Sequence, residues 1–249
     1  MKIVAGLQVF EEIDFIEPCI KSCCDLCDKV IVVEGSWETT EKFSSKRSTD
    51  GTIEKIQSLI KEHSNLELQF FNGKNQIEHR QFIWEECQKH KPDWYLQGDG
   101  DEIFHEKDFQ TIKDTLSIYH PKNCVSPEHY LFWNDLEHYE FWNTAGARFF
   151  NVSGLDLDKV KAGPSCNMMY FGSDLFTRHT TKTFFIYHPS YVKNTKRQQL
   201  KINHRSNDDG HKFPHIIVDN KIQRTKVGWF DTLRLMKPDN LPKYLITDK

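Results

Sequence analysis

Long apolar runs are missing from this chain: no stretch approaches the ~18 consecutive apolar residues that a membrane-spanning helix needs. Charge of one sign is missing too. With 33 basic residues against 36 acidic ones and a formal net charge of −3, nothing attracts a nucleic-acid backbone or an anionic membrane globally, so any anion must be bound locally. Met1-Lys2-Ile3-Val4-Ala5-Gly6 enters a strand-like run with no signal-peptide h-region or small-residue cleavage site. The expectation is a cytoplasmic chain, neither secreted nor membrane-spanning. An even set of cysteines is also lacking, and seven of them in 249 residues fit free thiols in a reducing compartment better than a disulfide framework. Repeats and low-complexity tracts are absent. So is a glycine-rich, lysine-bearing loop after the first apolar run, of the kind that would hold a triphosphate.

What is present reads as alternating strands and helices. Ile3 to Phe10 looks like a buried strand, followed by Glu11-Glu12 and an apolar-periodic helix through about Cys27. Cys19, Cys23 and Cys27 share one face of that helix. Ligands stacked along a single helix do not close a tetrahedron unaided, so small buried hydrophobes are favoured over a zinc or redox cluster. Lys29 to Glu34 is a continuous β-branched strand. Ser48-Thr49-Asp50-Gly51-Thr52 gives a turn and cap for a helix from about Ile53 to Ile60. Asn65 to Phe71 is the third strand, Gln76 to His90 a helix ended by Lys91-Pro92, and a further helix runs from beyond Lys107 to Tyr119. This order predicts an α/β fold with a doubly wound parallel sheet, in which ligands bind outside the carboxyl ends of the strands. Gln8, Glu34 and Asp99 fall at those ends.

The fourth strand, Trp94-Tyr95-Leu96-Gln97, is expected to break at Gly98 and deliver Asp99, Asp101 and Glu102 within four residues. Three such carboxylates are expensive to bury unpaired, which points to a divalent cation between them. Downstream, Val125 to Met169 is rich in aromatics that core packing mostly explains, although Tyr130-Leu131-Phe132-Trp133-Asn134-Asp135 also suits stacking on a sugar. Asn194 to Lys212 reads as a partly basic segment, either a solvated loop or a phosphate-covering lid.

In that order and at that spacing, Val30-Ile31-Val32-Val33-Glu34, Ser48-Thr49-Asp50-Gly51-Thr52 and Asp99-Gly100-Asp101 resemble the GT-A nucleotide-sugar glycosyltransferases, family-2-like branch. The resemblance implies a GT-A, Rossmann-like α/β/α sandwich with a mainly parallel central sheet. It implies one domain, 1–249, with a nucleotide-sugar and metal half at 1–107 and an acceptor half with the C-terminal tail at 108–249. Gln8, Val9, Phe10, Glu12, Glu34, Arg80, Asp99 and Gly100 would then contact the donor. Asp99, Asp101 and His188, in Ile186-Tyr187-His188-Pro189-Ser190-Tyr191, would bind Mn²⁺ or Mg²⁺, and Lys201 matches a lysine of the branch. About ten residues, Trp37 to Arg47, separate the second strand from the Ser48 segment where the family runs them together. The Glu-Asp pair that marks the catalytic base in many family-2 enzymes is missing.

The implied activity is a hexosyltransferase-type reaction that moves a sugar, with inversion, from a UDP- or GDP-type donor to a hydroxyl of a glycan, glycoprotein or glycolipid. Inversion needs a carboxylate opposite the leaving group. Asp174 in Phe171-Gly172-Ser173-Asp174 and Asp135 are the candidates, with Glu128 behind them. Arg148 is a diphosphate or acceptor contact or else a surface arginine. A sugar nucleotidyltransferase and a non-catalytic carbohydrate-binding module are the alternatives.

Overall fold

Seven residues in a row, Ile3–Val9 (β1), are buried, because this strand sits in the middle of a sheet covered on both faces. The computed structural model describes residues 1–38, 45–142, 146–159, 161–162, 169–170, 176–192, 215–218, 221–224 and 234–246. β1 pairs in parallel with β2 (Lys29–Glu34) on one side and β4 (Trp94–Asp99) on the other, and β2 pairs in parallel with β3 (Leu66–Phe70). Helices α1 (Ile16–Leu26), α2 (Thr52–Ile60) and α4 (Phe109–Ser117) bury their apolar sides on one face, with Ile3, Ala5, Leu7 and Val9. Helix α3 (Gln76–Gln88) covers the other face, with Val4, Ile31, Val33 and Tyr95. Cys19, Cys23 and Cys27 are free, buried thiols in the α1 core cluster, as the one-face spacing predicts.

Beyond β4 the alternation stops. β6 (Asn123–Trp133) forms an antiparallel hairpin with β7 (His138–Trp142), and β8 (Phe149–Asn151) lies antiparallel between β4 and β6. β11 (Thr177–Tyr191) runs parallel to β6 and pairs with the short β5 (Ile103–Phe104). Together with β14 (Arg234–Leu235), which pairs with β7, these make one ten-stranded sheet in the order β14-β7-β6-β8-β4-β1-β2-β3, with β11 and β5 off that path. Two small ribbons, β9 (Lys161–Ala162) with β10 (Met169–Tyr170) and β12 (His215–Val218) with β13 (Lys221–Arg224), form separate sheets. Among the described residues no helix is long and apolar enough to cross a membrane.

The structure corrects two boundaries. Strand β4 does not break at Gly98 but runs through it to Asp99, still paired with β1, and a Cβ at Gly98 would meet Leu7 Cδ2 at 2.6 Å. This glycine serves packing, not a turn. Helix α3 stops at Gln88, where the chain turns into Lys91 with φ +51°. Close approach also explains Gly6, whose added Cβ would lie 2.4 Å from Ile83 Cγ2 and 2.9 Å from Cys87 Sγ on α3. Gly6→Ala should therefore lower unfolding stability by about 1–3 kcal/mol in urea titration, since the helix must move off the sheet.

Candidate functional site

At the carboxyl ends of the parallel strands, register alone brings Gln8 beside Asp99 and Val9 beside Glu34. The loop after β1 is held by the Ser48–Thr52 segment. Ser48 Oγ accepts from Glu11 N at 2.7 Å, Thr52 Oγ1 from Glu12 N at 2.9 Å and Asp50 Oδ2 from Ile13 N at 3.1 Å. The segment also returns to strand β2, because Ser48 N donates to Glu34 Oε1 at 2.7 Å. Glu34 and the Ser48 segment therefore meet although about ten residues separate them in sequence.

Glu34 is fully buried, with its second oxygen, Oε2, unmatched by any hydrogen bond and Arg47 Nε 3.8 Å away. Burial pushes its carboxyl up, against the Ser48 donor that favours the charged form. Gln8 Oε1 accepts from Gln76 Nε2 at 3.3 Å, and its own Nε2 is buried without a partner. Phe10 and Glu12 are partly buried beside them. Gly100 N donates to Gln8 O at 3.0 Å, which ties the carboxylate loop to the end of β1.

The three carboxylates expected to share one ion turn three ways. Asp99, partly exposed, pairs with the buried Arg80, whose Nη1 also donates to Gly98 O at 3.0 Å. Glu102 is buried against Arg148, which donates to it from Nε at 2.9 Å and from Nη2 at 2.6 Å, while His129 Nε2 lies 3.4 Å away. Burial would raise the Glu102 carboxyl, but the Arg148 guanidinium overrides it and holds the group well below the usual range. Arg148 also lies 3.7 Å from Asp99 Oδ2. It is a buried counter-ion to two of the carboxylates, not a surface arginine. Asp101, buried, faces His188 Nε2 at 3.1 Å and accepts from Ser190 Oγ at 3.0 Å. Among the described residues no group of three or more His, Cys, Asp or Glu gathers around one point. Three carboxylates against two guanidiniums leave the cluster with one net negative charge when its histidines are neutral.

A bulge sets which side chains join this cluster. His188 pairs with Leu131 and Tyr191 with Trp133, so β11 advances three residues while β6 advances two. The extra residue puts His188 and Tyr191 on the same face. Tyr130, Phe132, Tyr139, Phe141, Phe185 and Tyr187 stack together on the opposite face as core. The site face carries His129, whose ring lies 5.9 Å from that of His188, and a Trp133–Tyr191 stack at 4.1 Å. Ser190 and His129 were not singled out in the sequence as site residues. The only signal for the first was its place two positions after His188.

Asp135 lies in the β6–β7 turn. Its Oδ1 accepts from the backbone of Glu137 at 2.9 Å and of His138 at 2.8 Å, and from the His138 ring at 2.9 Å. Glu128 is paired with Lys182 at 3.3 Å. Asp174, Lys201 and the Asn194 to Lys212 segment lie outside the described residues.

No protein-family model and no curated protein matches this sequence. Solved structures do. Residues 1–349 of S. aureus TarS superpose with a TM-score of 0.52 at 12% identity, over 85% of this chain and 67% of that one. The same fragment in complex with UDP-GlcNAc gives 0.53 at 11% identity, over 85% and 68%. Against the longer TarS chain the score is 0.52 at 12% identity, and the match spans 41% of it. The fold of this chain is the GT-A glycosyltransferase fold.

Proposed function

We propose that this GT-A chain is a metal-dependent glycosyltransferase that moves a sugar from a uridine-diphosphate donor to a hydroxyl acceptor, with inversion. The observation that carries it is the Asp101–His188 pair at 3.1 Å, beside the edge that presents Gln8, Glu34 and Asp99. Asp101 and His188 would be the residues that hold the ion. One carboxylate and one imidazole suit a site completed by substrate phosphates and water, and the imidazole favours Mn²⁺ over Mg²⁺. When bound, the ion supplies positive charge where the departing diphosphate becomes negative. Arg80 and Arg148 fix Asp99 and Glu102, so the carboxylate loop needs no rearrangement as that charge develops.

The base follows from Glu34. Its Oε1 is taken by Ser48 N and only Oε2 is unmatched. Uracil offers one ring N–H between two carbonyls, whereas guanine offers adjacent N1–H and N2–H donors that would use both oxygens. The UDP-GlcNAc complex of the TarS fragment agrees with a uridine donor.

Thermal unfolding with UDP, UDP-GlcNAc, GDP and GDP-mannose, each with and without Mn²⁺, tests this reading. UDP at ~100 times its Kd should stabilise the fold by about 2.7 kcal/mol, roughly a 5–10 °C rise in Tm, and only with Mn²⁺ present. Glu34→Gln should weaken UDP binding about 10- to 100-fold, the worth of a hydrogen bond to a charged acceptor. No shift with any nucleotide would overturn the reading, and a larger shift with GDP would overturn the uridine assignment.

A further inference from the structure

We propose that Arg47 is a base-specificity residue, whose uncommitted guanidinium edge donates to the O4 carbonyl of uracil and so separates uridine from cytidine donors. The inference rests on the uridine reading above and adds a second contact to the base edge. Arg80 does not supply it, being committed to Asp99 and to Gly98 O.

The Arg47 guanidinium is clamped through one nitrogen. Its Nη1 donates to Glu34 O at 3.2 Å, with Lys46 O and Phe71 O each 3.5 Å away, and the guanidinium lies 5.0 Å over the Phe70 ring. Gly35, at φ +149°, clears the space, because a Cβ there would lie 1.9 Å from Phe71 O and 2.5 Å from Arg47 Nη1. Nε and Nη2 make no hydrogen bond among the described residues, and the side chain is 38% exposed. Half of this rigid fork is spent on the backbone and half faces outward. Nε stands 3.8 Å from Glu34 Oε2, the oxygen that nothing matches, too far for a hydrogen bond between them. Arg47 ends the excursion that sets this chain apart from the family pattern, so the resemblance assigns it no role.

An acceptor and a donor side by side are the complement of one half of the uracil edge. N3 and O4 of uracil lie about 2.3 Å apart, as nitrogen and oxygen do in any amide. Glu34 Oε2 and Arg47 Nε then reach them at about 2.9 Å each, with a splay of roughly 15°. Strand order decides which carbonyl is read. In the order β4-β1-β2-β3, Asp99 stands on one side of Glu34, and Phe70 with Arg47 on the other. In the donor reading above, the ribose and diphosphate lie toward Asp99. The ribose is joined at N1, so O2 faces that side and O4, the carbonyl remote from N1, faces Arg47. Cytosine inverts both groups: a lone pair at N3 meets the Glu34 carboxylate, and an amino N–H meets the Arg47 N–H.

Calorimetric titration of UDP, CDP and 4-thio-UDP in Mn²⁺ buffer tests the contact. The unaltered protein should prefer UDP over CDP by about 10- to 100-fold, the discrimination of one two-bond base contact. It should bind 4-thio-UDP, whose sulfur is the poorer acceptor, more weakly than UDP. Arg47→Met should weaken UDP by about 10- to 100-fold, the worth of a hydrogen bond to a charged group, leave CDP unchanged, and bind UDP and 4-thio-UDP alike. A side chain that only clamps the backbone would move UDP and CDP together, so an unchanged UDP-to-CDP ratio in Arg47→Met overturns the proposal. Equal binding of UDP and 4-thio-UDP by the unaltered protein overturns it too, with no variant needed. In both cases UDP still binds and the uridine reading survives. No binding of any of the three overturns the uridine reading, and this proposal with it.

Discussion

Asp101→Asn yields a folded protein whose donor turnover is lower by about 10²–10³-fold, the effect of removing one group that stabilises developing charge. The amide keeps the shape and can still accept from Ser190 Oγ, so the fold survives. What it loses is the negative charge that, in the function proposed above, would hold the cation together with His188 Nε2, 3.1 Å away. Raising Mn²⁺ should recover part of the activity. His188→Ala should lose a similar amount, and the double variant little more, because residues that act as one unit do not add. Rates with either single variant equal to the unaltered protein would remove the metal from this pair.

Arg148→Met should lower stability by about 3–5 kcal/mol, because it strands a buried Glu102 charge without its guanidinium. For a chain of this size that is a fall in Tm of roughly 6–20 °C. Adding Glu102→Gln should return most of the loss, since replacing both partners of a buried pair is far milder than removing one. The same pair sets a pH dependence. Burial opposes ionisation of Glu102, but Arg148 holds its folded-state carboxyl below the unfolded value, ~4.3. Its contribution is therefore fully present above that pH and is lost as pH falls further through the folded value. Unfolding curves between pH 7 and 3 should show this loss in the unaltered protein and not in the double variant. A matching slope in both would assign the acid sensitivity elsewhere.

The parallel half was legible because its information is local. β-Branched runs, caps and strand order suffice to bring Gln8, Glu34 and Asp99 to one edge, and the Cys19, Cys23 and Cys27 face packs as its spacing predicts. Which partner each carboxylate takes was not legible. Arg148 and His188 come from far later in the chain, and one extra residue after His188 in β11 brings Tyr191 to the same face, a feature that no alternation pattern reveals. Asp135 was chosen by chemistry alone, and its bonds to the backbone of its own turn, which the sequence did not reveal, give it a part in shaping the β6–β7 hairpin.

The bidentate contact between Glu102 and Arg148 joins residues 46 apart in sequence, and this limits how the chain can be recombined. A chimera that joins residues 1–107 to the remainder of a foreign chain inherits Glu102 but not the arginine that answers it. Such a graft should fold poorly unless the recipient brings a guanidinium to the same spot. Exchange is therefore easier at loop tips than across this seam, and descendants of this scaffold should diversify there first.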